Sequence, residues 1–141
     1  MTEHTRIRPV ELVPDEVMLL RFGAVTRNTH RIHYDTAFAQ SEGLDAPVVM
    51  AQLHGCLFHR AAARFAGPTG RVLRLAWQDR APAYPGDQLE VTGTVREVDP
   101  ATGEITLDLV EHRAAANTDL VDHREDPGIV CCRGHAVVVL G

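Results

Sequence analysis

The feature that most limits what this chain can become is Val48–Phe65, VVMAQLHGCLFHRAAARF, eighteen residues with no acid among them. Gly55 is its one helix-weakening residue, and Ala, Leu, Met, Gln and Arg dominate, so the stretch reads as a helix. Its apolar residues spread over more than one face, the pattern of a helix buried on most sides. Just upstream, Asn28–Asp35 (NTHRIHYD) puts two imidazoles and a carboxamide within six residues. A polar loop feeding a buried helix sets reactive groups near that helix's N-terminus, where backbone N–H groups are free and the dipole end is positive.

A length of 141 residues fits one domain around one core. With 45% apolar and 23% charged residues the composition is that of a soluble globular protein. No apolar run has the length of a membrane span, and the opening MTEHTRIRPVELVPDE lacks the apolar core of a secretion signal. Three cysteines, two of them adjacent, make no disulfide framework. A reducing, cytoplasmic setting is therefore expected. The net charge of −5 argues against a nucleic-acid partner, which needs a clustered basic face. The arginines between Arg60 and Arg80 remain compatible with a small, nucleotide-tailed ligand.

In chain order, residues 1–14 read as a loose arm or an edge segment. Glu16–Val25 (EVMLLRFGAV) reads as a first strand, mixing bulky and β-branched residues. Asp35 is placed to cap a short helix, Thr36–Ser41, stopped by Gly43. Asp45-Ala46-Pro47 breaks the chain before the long helix, and Gly67-Pro68 ends it. Four strands follow: Val72–Ala81, Gln88–Val98, Ile105–His112 and Ile129–Leu140. In the third, Ile105, Leu107 and Leu109 alternate with Thr106, Asp108 and the neighbourhood of Glu111, with Val110 out of phase. Ala114–Gly128 reads as a long polar loop. The fold class is α+β, an antiparallel sheet with one face covered by the long helix. A sheet so covered still has an open edge, which a second chain would close.

This order, with NTHRIHYD, EGLDAPVVMAQLHG, RFAGP and RAPAYPGDQLEVTGTV, resembles the hot-dog fold and, within it, the MaoC-like acyl dehydratases, or (R)-specific enoyl-CoA hydratases. HRIHYD is most similar to the subgroup of mesaconyl-C4-CoA hydratases and 3-hydroxyacyl-thioester dehydratases. The resemblance implies a single hot-dog domain over residues 1–141, a sheet around a central helix, and a dimer with itself or with another hot-dog chain. It also implies a substrate that is an acyl-CoA or acyl-carrier thioester, with no cofactor and no metal.

The family motif pairs an Asp with a His five residues later; laid here, it puts Asn28 at the Asp position and His33 at the His position. Imidazole can take a proton from water and return one to carbon near neutrality. A carboxamide cannot be a base, but it can orient the water. In the family a His-Gly pair opens the helix and serves the developing enolate; here Met50-Ala51 stand there, so the N–H groups of Ala51 and Gln52 inherit the role with a methyl in glycine's place. His59 is a candidate for the acyl pocket and Arg80 for substrate contact. His30 orients the loop, His54 is a core histidine, and Asp35 is a cap. Cys131 and Cys132, adjacent on a strand, face opposite ways and so form no joint zinc or redox site. Two other functions compete: a co-catalytic hot-dog subunit serving a partner's site, and an acyl-CoA thioesterase. The latter is weakened because Val48–Phe65 carries no carboxylate.

Overall fold

The computed structural model describes residues 2–114 and 128–141. Most of the expected Ala114–Gly128 loop, residues 115–127, lies outside the described residues. Among the described residues nine elements follow one another: β1 (Val10–Leu12), α1 (Glu16–Thr26), a 3₁₀ turn (Arg31–His33), α2 (Thr36–Ser41), α3 (Ala51–Ala66), β2 (Arg71–Asp79), β3 (Gln88–Val98), β4 (Ile105–Ala114) and β5 (Ile129–Val139). The strands form one antiparallel sheet in the order β1-β3-β4-β5-β2. α3 touches all five, so the sheet curls around it as a hot-dog sheet does.

The core is the interface between α3 and the sheet. Leu53, Leu57, Phe58, Ala61 and Ala62 are buried against Leu89, Val91, Leu107, Leu109, Ala136 and Val138. The helix is buried on one broad face only. Gln52, Cys56, His59, Arg60 and Arg64 form an exposed strip at helical spacing, so the polar residues of the stretch, His54 apart, share a side.

Two of the expected elements change, and a third reading that left two alternatives is decided. Glu16–Val25 is a helix, not a strand. Asp15 caps it by accepting a hydrogen bond from Met18 N at 2.7 Å, Glu16 lies in its first turn, and Arg27 closes it at φ 55°. The cap and the helix-favouring Met, Leu and Arg outweigh the β-branched Val17 and Val25. α3 begins at Ala51 rather than Val48. Pro47 disfavours helix before it, and the N–H groups of Val48 and Val49 are bound to Ile32 O (2.9 Å) and Ala83 O (2.8 Å), so Val48–Met50 is an extended strap. Residues near the N-terminus take the edge-segment alternative: Val10–Leu12 pairs with β3, Ile7 N donates to Gly93 O at 3.0 Å, and Ile7 and Val10 are buried.

That edge carries a like-charge pair. Glu11 lies directly across from Glu90, whose carboxyl is held above the usual range by burial first and by Glu11 second. The folded protein therefore binds this proton more tightly than the unfolded chain. Stability contributed by the protonated pair is present below the unfolded pKa and is lost as pH rises through the folded one. Glu90→Gln is expected to raise Tm by about 1–3 °C at pH 7 and by less at pH 4. Thermal melts at the two pH values check the sign; an equal gain at both would show that the carboxylate repulsion plays no part.

Candidate active site

The NTHRIHYD loop is built from its own side chains. Arg27, in the left-handed conformation, turns the chain out of α1, and Asn28 N donates back to Gly23 O at 2.9 Å. Asn28 Oδ1 then accepts from His30 N at 3.3 Å, and His30 Nδ1 accepts from Ile32 N at 3.2 Å, capping the 3₁₀ turn. Tyr34 OH donates to Thr29 O at 3.2 Å. Asp35 caps α2 through Phe38 N at 3.0 Å and pairs with Arg31 at 2.8 Å. The backbone bond to Phe38, then Arg31, holds its carboxyl below the usual carboxylate range, as suits a cap.

His33 is half-buried, with Nδ1 2.7 Å from Val48 O. A carbonyl only accepts, so Nδ1 carries the proton, and the lone pair of the neutral ring lies on Nε2. Val48 thus binds the loop twice, through its N–H to Ile32 O and through its C=O to His33. Three residues later α3 begins. Leu53 N and His54 N both turn back to Met50 O, at 3.0 and 3.4 Å. Among the described residues, the N–H groups of Ala51 and Gln52 are the free donors at this helix start. A Cβ on Gly23 would lie 3.1 Å from Asn28 O and 3.4 Å from Met50 Cε, so the Asn28 turn sits against the residue that precedes those donors.

Val48 therefore ties His33 to the helix start that carries Ala51 and Gln52, and the Asn28 turn abuts Met50 through Gly23. His59 and Arg80 are exposed, and among the described residues no hydrogen bond or ion pair ties either to that helix start; Arg80 is held through its backbone, N to Cys131 O at 2.7 Å. Three parts of the surroundings escaped sequence reasoning. Val48 as the tie had no signal, because a backbone carbonyl has no residue code. Trp77 donates Nε1–H to Ala51 O at 3.0 Å. His54 is buried as expected, but its neighbour is the buried Glu111, with Nδ1 and Oε1 2.5 Å apart. Glu111 faces inward, in phase with Ile105, Leu107 and Leu109, rather than with the outward residues. Its odd-numbered position in that alternation was the available signal.

Trp77 also explains Gly55. A Cβ there would lie 2.5 Å from the indole ring. Gly55→Ala is expected to push the ring off Ala51 O and to cost about 1–3 kcal/mol of stability through overpacking. Trp77 is the chain's one tryptophan, so a red shift of intrinsic fluorescence together with a lowered Tm reads the change directly. An unshifted spectrum would place the cost elsewhere.

Residues 2–85 match the hydroxyacyl-thioester dehydratase type 2 family. Over 75 residues, 52% of this chain, the sequence is 37% identical to the mesaconyl-C(4)-CoA hydratase of Chloroflexus aurantiacus, of which the match takes in 26%. The chain thus spans about a quarter of that relative. Among solved structures, the (R)-hydratase from A. caviae involved in PHA biosynthesis has a TM-score of 0.83 at 18% identity, covering 100% of this chain and 98% of that one. The ChsH1–ChsH2 complex from Mycobacterium tuberculosis has a TM-score of 0.82 at 18% identity, covering 99% of this chain and 98% of that one. At such identities the likeness establishes the fold, which is the hot-dog fold. The family match goes further, because it takes in more than half of the chain, including the NTHRIHYD loop and the whole of α3: this protein belongs to the hydroxyacyl-thioester dehydratase type 2 family.

Proposed function

We propose that the chain adds water to a 2-enoyl thioester, or removes it from a 3-hydroxyacyl thioester, with His33 as acid and base. The observation that carries this reading is the 2.7 Å bond from His33 Nδ1 to Val48 O, which leaves Nε2 as the basic atom of a loop tied to the start of α3. In hydration, Nε2 takes a proton as the water oxygen bonds to Cβ. The pair of electrons displaced from the C=C bond is delocalised onto the thioester oxygen, and the imidazolium then protonates Cα and returns to neutrality. Negative charge on that oxygen is met by the N–H groups of Ala51 and Gln52 and by the positive end of the α3 dipole. Asn28, whose Oδ1 already accepts from His30 N, orients the water through its remaining hydrogen-bonding capacity. His59 and Arg80, on open surface, are assigned to the acyl and carrier ends of the substrate.

The assembly we propose is a dimer of hot-dog chains. β2 is the sheet's other edge among the described residues, and it exposes Leu73 and Trp77 beside backbone groups that no described strand pairs. Work in the cytoplasm fits the three free thiols, and no helix among the described residues is long and apolar enough to cross a membrane.

One observation favours a second reading, a subunit that completes a partner's site. Met50, not histidine, is buried before the helix, and Ala51 puts a methyl where the resembling motif has glycine. The test is hydration of crotonyl-CoA, followed by loss of the conjugated-thioester absorbance, with the purified chain alone. Activity supports the enzyme; activity that returns only with a second hot-dog chain supports the subunit reading.

A further inference from the structure

Away from the site, the register of the sheet assembles a second group of reactive side chains. Val91 faces Glu111, Glu111 faces Cys132, and Cys132 faces Asp79, so one cross-strand row carries two acids and a thiol on one side of the sheet. His54 descends on this row from α3. A ring nitrogen of His54, a Glu111 carboxylate oxygen and Cys132 Sγ all lie within 4.8 Å of one another, and all three residues are buried. Cys132 Sγ donates to Asp79 Oδ1 at 3.0 Å, which extends the group to the exposed end of β2.

The polar atoms at the centre are paired by proximity but not by a hydrogen bond. His54 Nδ1 and Glu111 Oε1 are at ion-pair distance, yet the approach lacks the angles of a hydrogen bond. Among the described residues neither Glu111 oxygen nor His54 Nδ1 has a hydrogen-bond partner. Such orphans are rare in interiors, and a bound ion is one of the few things that accounts for them.

We propose that His54, Glu111 and Cys132 bind one divalent ion of the zinc class. Imidazole nitrogen, carboxylate oxygen and thiolate sulfur are the donors zinc takes, and a carboxylate with a thiolate neutralises a charge of 2+ without leaving a net charge in the core. At metal–ligand distances of about 2.0–2.1 Å, nitrogen and oxygen ligands of a tetrahedral ion stand about 3.3 Å apart, so His54 and Glu111 separate by under about 1 Å on binding. The adjacent Cys131 stands outside this group of donors, and its Sγ donates to Ile129 O at 3.9 Å. The three ligands would join α3 to β4 and β5, with the fourth tetrahedral position left to water.

The test is metal analysis of the chain purified from zinc-supplemented culture, then reconstitution of chelated protein with Co²⁺. We expect about one zinc per chain, and a near-ultraviolet thiolate-to-cobalt absorption in wild type, Cys56→Ala and Cys131→Ala that is lost in Cys132→Ala. Glu111→Gln, which keeps the side chain's shape, should weaken Zn²⁺ binding by calorimetry at least ~10-fold. A wild type that binds neither metal overturns the proposal. So does an absorption that survives in Cys132→Ala, or a Glu111→Gln variant that binds Zn²⁺ as tightly as wild type.

Discussion

His33→Ala is expected to abolish hydration of a 2-enoyl thioester, by about 10³-fold or more, with far-UV circular dichroism unchanged. One imidazole is assigned both proton transfers, and general acid–base catalysis contributes about 10²–10⁴-fold. The fold should tolerate the change, because the side chain is half-buried and its removal forfeits one hydrogen bond, about 1 kcal/mol net. Asn28→Ala should cost roughly 10²-fold, the scale of one positioning interaction near reacting atoms. Asn28→Asp should preserve or raise the rate, since a carboxylate accepts the same bond from His30 N and also offers a charge. Met50→His with Ala51→Gly should raise it if crowding at the helix start limits the reaction. Full activity in His33→Ala would remove the assignment of the base.

The second large effect is on stability. His54→Ala should destabilise the protein by about 3–5 kcal/mol, because it strips a fully buried acid of the basic group 2.5 Å away. Replacing both partners with apolar residues, His54→Leu with Glu111→Met, should recover most of that loss, since the uncompensated polar group is then gone. Denaturant melts of chelated, metal-free protein measure both variants without any contribution from a bound ion. A single variant within 1 kcal/mol of wild type would mean that the acid is served by other groups.

The pattern of residues by itself determined that a long acid-free helix follows a polar, histidine-bearing loop, that Asp35 caps the next helix, and that an antiparallel sheet comes after. These are local properties, set by propensity, capping chemistry and the period of two, and they act over a few residues. The same local rules misread Glu16–Val25, where Asp15 and β-branched residues pulled in opposite directions and the cap decided. They also started α3 three residues early, because the competing hydrogen bonds of Val48 and Val49 come from Ile32 and Ala83, which are distant in sequence. The resemblance pointed to Asn28 and His33, but not to which ring nitrogen of His33 is basic. Val48 O, fifteen residues away, accepts from Nδ1 and so leaves the lone pair of the neutral ring on Nε2. Glu111 beside His54 and Cys132 was hidden for a related reason. Each residue is unremarkable on its own element, and only the register of β4 on β5, with α3 laid across them, brings an acid, an imidazole and a thiol together out of water.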